Sequence, residues 1–216
     1  VRVDAQTGAR TVLAGAGQGG FNGDNQPATA AKLNRPTDVA LDPNGHVFVA
    51  DSGNSRIRRI DAASGFLTTV AGGANAGFAG DGSDPVNSLL ASAESIDVDA
   101  SGNLWIADTG NNRIRFVNRS GATVTFTYWD APPFGAGTVT QNVAPNTIET
   151  VAGPGFLALL DGDQPRQAKL AQPKGLRLVT QLGTPIGYVF CDAGNNRVRA
   201  VALQLPADGV ATTSIF

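Results

Sequence analysis

Residues 38–58 read DVALDPNGHVFVADSGNSRIR, and residues 95–115 repeat them as SIDVDASGNLWIADTGNNRIR. The preceding segments repeat in the same way, because RVDAQTGARTVLAG at 2–15 returns as RIDAASGFLTTVAG at 59–72. Matched positions in these copies are 57 residues apart. A third, more divergent copy occupies residues 175–199 as GLRLVTQLGTPIGYVFCDAGNNRVR. Self-similarity at a fixed period of this size predicts a repeat architecture.

One repeat contains four short apolar segments separated by turn residues such as PNG, GN and ASG. They predict strands at 38–42, 46–51, 56–61 and 67–71. The runs VFVA and LWIA are apolar without alternation, which is typical of strands buried on both faces. Four antiparallel strands repeated at this spacing indicate propeller blades. We therefore predict an all-β fold, a β-propeller of four-stranded antiparallel blades with short helical connections between them.

The composition excludes several classes of function. The 216 residues carry a formal charge of −2 and no run of Lys or Arg, so nucleic acid is not a predicted partner. No apolar stretch approaches the ~20 residues that a spanning helix needs, so direct membrane insertion is not predicted. A lone Cys191 and a lone His46 cannot supply a disulfide or a multi-histidine metal site. We expect Cys191 to be a small buried residue, because it replaces the Ala before Asp51 and Asp108, and His46 to lie in a solvated turn.

The segments ADSGNSRIRRID, ADTGNNRIRFVN and DAGNNRVRAVA, with TVAG and GFAGDG, resemble bacterial NHL-repeat β-propellers. The resemblance covers nearly the whole chain and implies a complete ring of six blades. Blade units are predicted at 1–15, 36–73, 94–153 and 173–216, or about three and a half blades. We therefore expect the ring to be completed by further blades of the same polypeptide or by other chains.

Strand order places the turns between second and third strands on the same face as the connections between blades. These DSGN-type turns repeat an Asp, an Asn and an Arg, which could present alternating charge to a polar ligand or a protein partner. The binding-face candidates are Asp51, Asn54, Arg56, Asp108, Asn111, Arg113, Asp192, Asn195 and Arg197. Their presence in every blade favours a structural role, since Asp and Asn cap turns and Arg can join neighbouring hairpins.

The connections at 25–33, 84–93 and 164–173 each place a Pro near a predicted helix start. We expect each of them to bury one leucine against a blade end, namely Leu33, Leu90 and Leu170. Acidic turns in these connections offer oxygen ligands to Ca²⁺, although their spacing lacks the length and terminal Glu of an EF-hand. Calcium at Asp81, Asp84, Asp161 and Asp163 is the one cofactor retained as an alternative to plain turns.

The third unit contains an insertion that the second unit lacks. Residues 119–148 read as an extended hairpin, with TVTFTYWD and TVTQNV as its strands, on the face opposite the DSGN-type turns. It holds four aromatic residues, Phe126, Tyr128, Trp129 and Phe134. Two interpretations stand equally: an interaction surface for a protein partner, or rings that fold back onto the edge of their own blade.

The leading functional hypothesis is a non-catalytic scaffold that binds proteins or ligands, outside the cell or in the bacterial cell envelope, as the resemblance implies. The main alternative is a propeller enzyme, a lyase or a lactonase-like hydrolase, with a metal on the central axis and further ligands outside this segment. RNA binding is the third hypothesis; the thirteen Arg residues are accompanied by sixteen Asp, which argues against it.

Overall fold

The computed structural model describes residues 1–130, 137–153, 168–181 and 184–203, with the side chains of 128–130 and 137–139 left undescribed. Within these residues the fold is all-β and its sheets are antiparallel. No helix in the described ranges is long and apolar enough to cross a membrane.

The strands follow the predicted repeat. In chain order they are β1 (Arg2–Val3), β2 (Arg10–Thr11), β3 (Gln26–Pro27), β4 (Pro36–Leu41), β5 (Val47–Asp51), β6 (Arg56–Ile60), β7 (Phe66–Ala71), β8 (Ala93–Val98), β9 (Leu104–Asp108), β10 (Arg113–Val117), β11 (Val124–Asp130), β12 (Gly137–Val143), β13 (Ile148–Ala152), β14 (Pro173–Gln181), β15 (Thr184–Asp192) and β16 (Arg197–Ala202). One-turn 3-10 helices lie at Ala28–Ala30, Ser52–Asn54, Pro85–Asn87, Thr109–Asn111 and Ala193–Asn195.

Three consecutive sheets form the second, third and fourth blades. The second blade has the order β3-β7-β6-β5-β4, the third β13-β10-β9-β8, and the fourth β14-β15-β16. The strands β1 and β2 pair only with each other and belong to the first, partial blade. The repeat units therefore correspond to sheets, as the all-β propeller prediction requires.

The first strands of the three blades lie side by side at their inner edge. Asp38 of β4 accepts a hydrogen bond from the Ser95 hydroxyl of β8 at 2.6 Å. The same carboxylate pairs with Arg177 of β14 at 3.2 Å. One acidic side chain thus links three consecutive blades.

Apolar side chains fill the spaces between the blades. All five residues of β9 are buried, which confirms that this strand is covered on both faces. One cluster joins the second and third blades around Phe48 and Ile96, and another joins the third and fourth around Trp105 and Tyr188. These two interfaces hold most of the buried apolar surface and therefore dominate the hydrophobic stabilisation.

The connections between blades are less helical than the sequence suggests. Within 25–33 and 84–93 the structure has single 3-10 turns, since Ala31 and Ser88 already adopt extended backbone. Leu90 and Leu170 are buried as expected, whereas Leu33 is only half-buried. Residues 164–167 of the third connection lie outside the described residues.

The expected burial of Cys191 is wrong, because its side chain is exposed. The equivalent Ala50 and Ala107 are fully buried by the blade that follows each of them. In the described residues no blade follows the fourth, so its outer face, including Val198 at 64% exposure, stays uncovered. At the opposite end of the arc, Leu41 is 64% exposed in the same way.

Candidate functional site

The DSGN-type turns lie on what we call the upper face, together with the connections between blades. In each turn, the buried Asp that ends the second strand accepts a hydrogen bond from a backbone N–H of the incoming connection. Asp51 accepts from Asn34 at 2.7 Å, Asp108 from Ala91 at 2.8 Å and Asp192 from Ala171 at 2.7 Å. The three carboxylates have no exposed surface and fasten each connection to the blade that it enters.

The Asn of each turn also holds the connection to its blade. Its side-chain amide donates both to the Asp carboxylate and to a carbonyl of the connection. These carbonyl contacts are Asn54 to Gly20 at 2.8 Å, Asn111 to Gly77 at 2.6 Å and Asn195 to Lys169 at 3.0 Å. The residue that closes each turn has a left-handed backbone, with φ of 54–55° at Ser55, Asn112 and Asn196.

A second arginine in each repeat, which was not among the predicted binding-face residues, lies at the centre of this arrangement. Arg58 and Arg115 have no exposed surface. Arg115 contacts Asp108 at 3.6 Å and Asp81 at 2.8 Å, and also donates to the Leu89 carbonyl at 3.3 Å. The sequence does contain a pattern that marks this arginine, because the motif R-x-R recurs in all three repeats.

Arg58 repeats this geometry with Asp51 at 3.5 Å and Asp24 at 2.9 Å. In the fourth blade, Arg199 contacts Asp192 at 2.7 Å. We call each such group of Asp, Asn and second Arg a latch.

The first arginine of each motif stacks on an aromatic ring of the connection. Arg56 lies 4.0 Å from the ring centre of Phe21, and Arg113 lies 3.5 Å from that of Phe78. Partial burial lowers the pKa of both guanidinium groups. Arg197, their counterpart in the fourth blade, is exposed. The predicted binding-face residues are thus gathered on one face, and most of their polar groups are engaged within the chain; binding there stays a prediction.

Of the four calcium candidates, the structure describes Asp81 and Asp84. Asp81 pairs with the buried Arg115, and Asp84 accepts a hydrogen bond from the Val86 N–H at 3.1 Å. Asp161 and Asp163 lie outside the described residues. No group of three or more His, Cys, Asp or Glu that could hold a metal occurs in the part of the chain that the structure describes.

The latch of the third blade should make stability depend on pH. Burial raises the pKa of Asp108 to about 6, although the Ala91 N–H, Asn111 and Arg115 all favour its ionised form. A carboxyl that binds its proton more tightly when folded stabilises the fold at low pH, and this stabilisation is lost as the pH rises through about 6. Relative to Asp108→Asn, the wild-type free energy of unfolding should fall by up to about 3 kcal/mol between pH 4 and 7. Urea titrations at several pH values measure this difference, and a difference that is constant or rises with pH contradicts it.

A hydroxyl after the latch Asp joins each blade to the next. The Ser52 hydroxyl donates to the Ala93 carbonyl, and the Thr109 hydroxyl donates to the Pro173 carbonyl at 2.7 Å. The fourth blade has Ala193 at this position and lacks the donor.

Thr109→Val keeps the shape of the side chain but removes the donor to a buried carbonyl. We expect it to lower the free energy of unfolding by about 1–3 kcal/mol in chemical denaturation. Thr127→Val, at an exposed hairpin position, is the control and should change it by less than about 0.5 kcal/mol. Equal effects of the two substitutions would show that the hydroxyl does not couple the blades.

The lower face carries the turns between first and second strands and between third and fourth strands. In the third blade it also carries the inserted hairpin of β11 and β12, which pair from Val124 with Val143 to Asp130 with Gly137. Phe126 is 5% exposed and packs against Trp105 and Phe116, with ring centres 5.4 and 4.8 Å apart.

At Phe126, therefore, the hairpin folds back onto its own blade. Tyr128 and Trp129 belong to β11, but their side chains, like the whole of Phe134, lie outside the described part. An interaction role for these three residues stays a prediction.

Beside this aromatic cluster, residues of the third and fourth blades line an open cavity of about 430 Å³. Trp105, Phe116 and Phe126 form its apolar wall. Polar residues at its edge include Asn103 and Thr127. The indole Nε1 of Trp105 is buried and has no hydrogen-bond partner among the described residues.

Comparisons with known proteins agree with this architecture. The model of the NHL repeat family matches residues 33–60 and 90–115. The chain is 32% identical over 123 residues to Protein SUPPRESSOR OF QUENCHING 1, chloroplastic, of Arabidopsis thaliana, covering 54% of this chain and 11% of that protein. It is 33% identical over 105 residues to human Teneurin-4, covering 43% of this chain and 4% of that protein. The chain thus spans about a tenth or less of the curated relatives it matches.

A solved structure shares the fold. A Bacteroides thetaiotaomicron protein described as a candidate phosphatase superposes with a TM-score of 0.55 at 16% identity, over 83% of this chain and 36% of that one. At this identity the likeness concerns the fold alone.

Proposed function

This chain is an NHL-repeat protein with a propeller fold, and we propose that it acts as a non-catalytic scaffold that binds a protein partner at its lower face. The observation that carries the proposal is the cavity beside the inserted hairpin, between the third and fourth blades. Its volume falls within the range of about 300–1,000 Å³ that is usual for ligand pockets.

The chemistry of the cavity fits an apolar or aromatic side chain presented by a partner. The partly exposed Val124 and Pro185 line the pocket together with the edge of the aromatic cluster at Phe126, which favours an aliphatic group or another ring. Anchors of this kind, in a pocket surrounded by a polar rim, contribute most of the energy of many protein interfaces.

The two faces differ in how free their polar groups are. On the upper face the latches already use the Asp, Asn and Arg groups. On the lower face Ser101 and Thr127 line the cavity, and both residues are exposed to solvent. This difference supports the lower face as the binding surface. An extracellular or cell-envelope location is part of the proposal and is tested separately by fractionating the native cells.

The proposal is tested with bulky substitutions, one on each face. Thr127→Trp places an indole at the mouth of the cavity, and Val86→Trp places one on an exposed connection of the upper face. The wild-type chain and Val86→Trp should retain the same partner from an extract of the native source, whereas Thr127→Trp should lose it. Three outcomes contradict the proposal. The partner is retained by all three forms, it is lost from both variants, or the wild-type chain captures no partner.

A further inference from the structure

A second feature of the lower face lies between the second and third blades. Arg119 follows β10 at the start of the inserted segment, and its backbone N–H donates to Asn103 Oδ1 at 2.8 Å. Its guanidinium extends toward the second blade and lies 4.9 Å from the ring centre of Phe48. Arg119 is half-buried, so the charge is partly withdrawn from water.

This charge has no counterion among the described residues. Arg119 forms no ion pair and no side-chain hydrogen bond there, and its Nη1 is buried without a partner. Burial lowers the pKa of Arg119, and the neighbouring Arg59 lowers it further. Partly burying a charge without pairing it costs free energy, so the arrangement points to a missing negative partner.

Arg59 contributes the second cation of this cluster. Its Nη2 contacts Asp61 at 2.7 Å and lies 3.0 Å from His46 Nε2, while its Nε is buried without a hydrogen-bond partner. The expectation of a solvated His46 is thus only partly met, because its side chain is 19% exposed and packed against Arg59.

The two nearby carboxylates are engaged in their own turns. Asp61 accepts hydrogen bonds from Ala63 and Ser64, in addition to pairing with Arg59. Asp42 accepts from the backbone N–H groups of Asn44 and His46. Neither forms an ion pair with Arg119, although the negative charge of Asp42 acts on it at longer range.

We propose that Arg119 and Arg59 form a binding site for an oxyanion, a phosphate or carboxylate group, at the lower edge between the second and third blades. Guanidinium groups bind both anions through paired N–H donors. Arg119 is partly exposed and donates no side-chain hydrogen bond to another described residue, so its accessible donors are available to such an anion. The second repeat lacks this arginine, because the position equivalent to Arg119 is Ala62. It is separate from the cavity and does not depend on it.

The test uses inorganic phosphate and acetate as probes, at constant ionic strength adjusted with sodium chloride. Thermal unfolding and the ¹H–¹⁵N signals of the arginine Nε groups are measured for the wild type, Arg119→Gln and Arg10→Gln. Arg10 is exposed on β2, so its replacement removes the same charge elsewhere. A ligand that binds the folded state raises the unfolding temperature in proportion to its affinity.

We expect at least one probe to raise the unfolding temperature of the wild type and of Arg10→Gln, and to shift the Nε signals of Arg119 and Arg59. Affinity should fall at least tenfold in Arg119→Gln. Binding of phosphate alone identifies a phosphate site, and binding of both probes identifies a general oxyanion site. No effect of either probe on the wild type, or equal effects on the wild type and Arg119→Gln, overturns the proposal.

Discussion

Arg115→Ala is expected to lower the free energy of unfolding by about 3–5 kcal/mol at pH 7, the range found when one partner of a buried ion pair is removed. The substitution leaves Asp108 without its buried cation and removes donors to two carbonyls of the connection. It also removes the packing of a long side chain that has no exposed surface. Urea denaturation followed by circular dichroism measures the loss.

Arg113→Ala is the matched control for this substitution. Arg113 lies two residues before Arg115, is partly exposed, and stacks on the ring face of Phe78. Removing its side chain should lower the free energy of unfolding by about 1 kcal/mol. Because Asp108 binds a proton below about pH 6, the cost of Arg115→Ala should be smaller at pH 5 than at pH 7. Equal losses for Arg113→Ala and Arg115→Ala would contradict the assigned role of the latch.

Trp105→Ala should destabilise the chain by about 3–5 kcal/mol, as is usual when a large buried aromatic side chain is removed. Trp105 is 1% exposed and contacts Phe116, Phe126 and Tyr188, with ring centres 4.8, 5.4 and 4.9 Å away. These contacts join the third blade to both the hairpin and the fourth blade. The same denaturation experiment measures the loss.

Trp105→Phe preserves a ring at this position and should cost less than half as much. The comparison also reports on the cavity, since the alanine variant enlarges it whereas phenylalanine largely retains its wall. A loss below about 1 kcal/mol for Trp105→Ala would show that the interface between the third and fourth blades is not packed as described.

The strands could be predicted because their signal repeats. Each blade places apolar runs between the same turn residues, and three copies in register determine strand order and face. The latch residues Asp51 and Asp108 were also identifiable from the repeat. Their chemistry was harder to predict, because the same Asp and Asn could face a ligand or fasten the chain.

The buried arginines could not be assigned from residue type, since Arg is rarely buried without a partner. In each R-x-R motif, the second arginine, Arg58 or Arg115, lies on the side of the strand opposite to the isoleucine before it. Whether that arginine is buried depends on the connection that covers this side. Cys191 is the opposite case, a residue predicted to be buried that is exposed. Its equivalents Ala50 and Ala107 are buried only because another blade follows theirs.

Features without a repeat equivalent were the least predictable. Alternation along β11 puts Val124 and Phe126 on one side of the hairpin, yet only the tertiary structure decides which side meets the blade. Arg119 has no counterpart in the other repeats, and the absence of its counterion is visible only when neighbouring blades are placed together. Both features belong to the lower face, where the third blade departs from its repeat.

Hydrogen exchange of the chain with and without its captured partner shows which face binds. We expect the partner to slow exchange at residues 101–104 and 124–127, on the lower face, and to leave the exchange rates of the upper-face turns at 52–55 and 109–112 unchanged. Protection confined to those upper-face turns would contradict it and would identify the latches themselves as the binding surface.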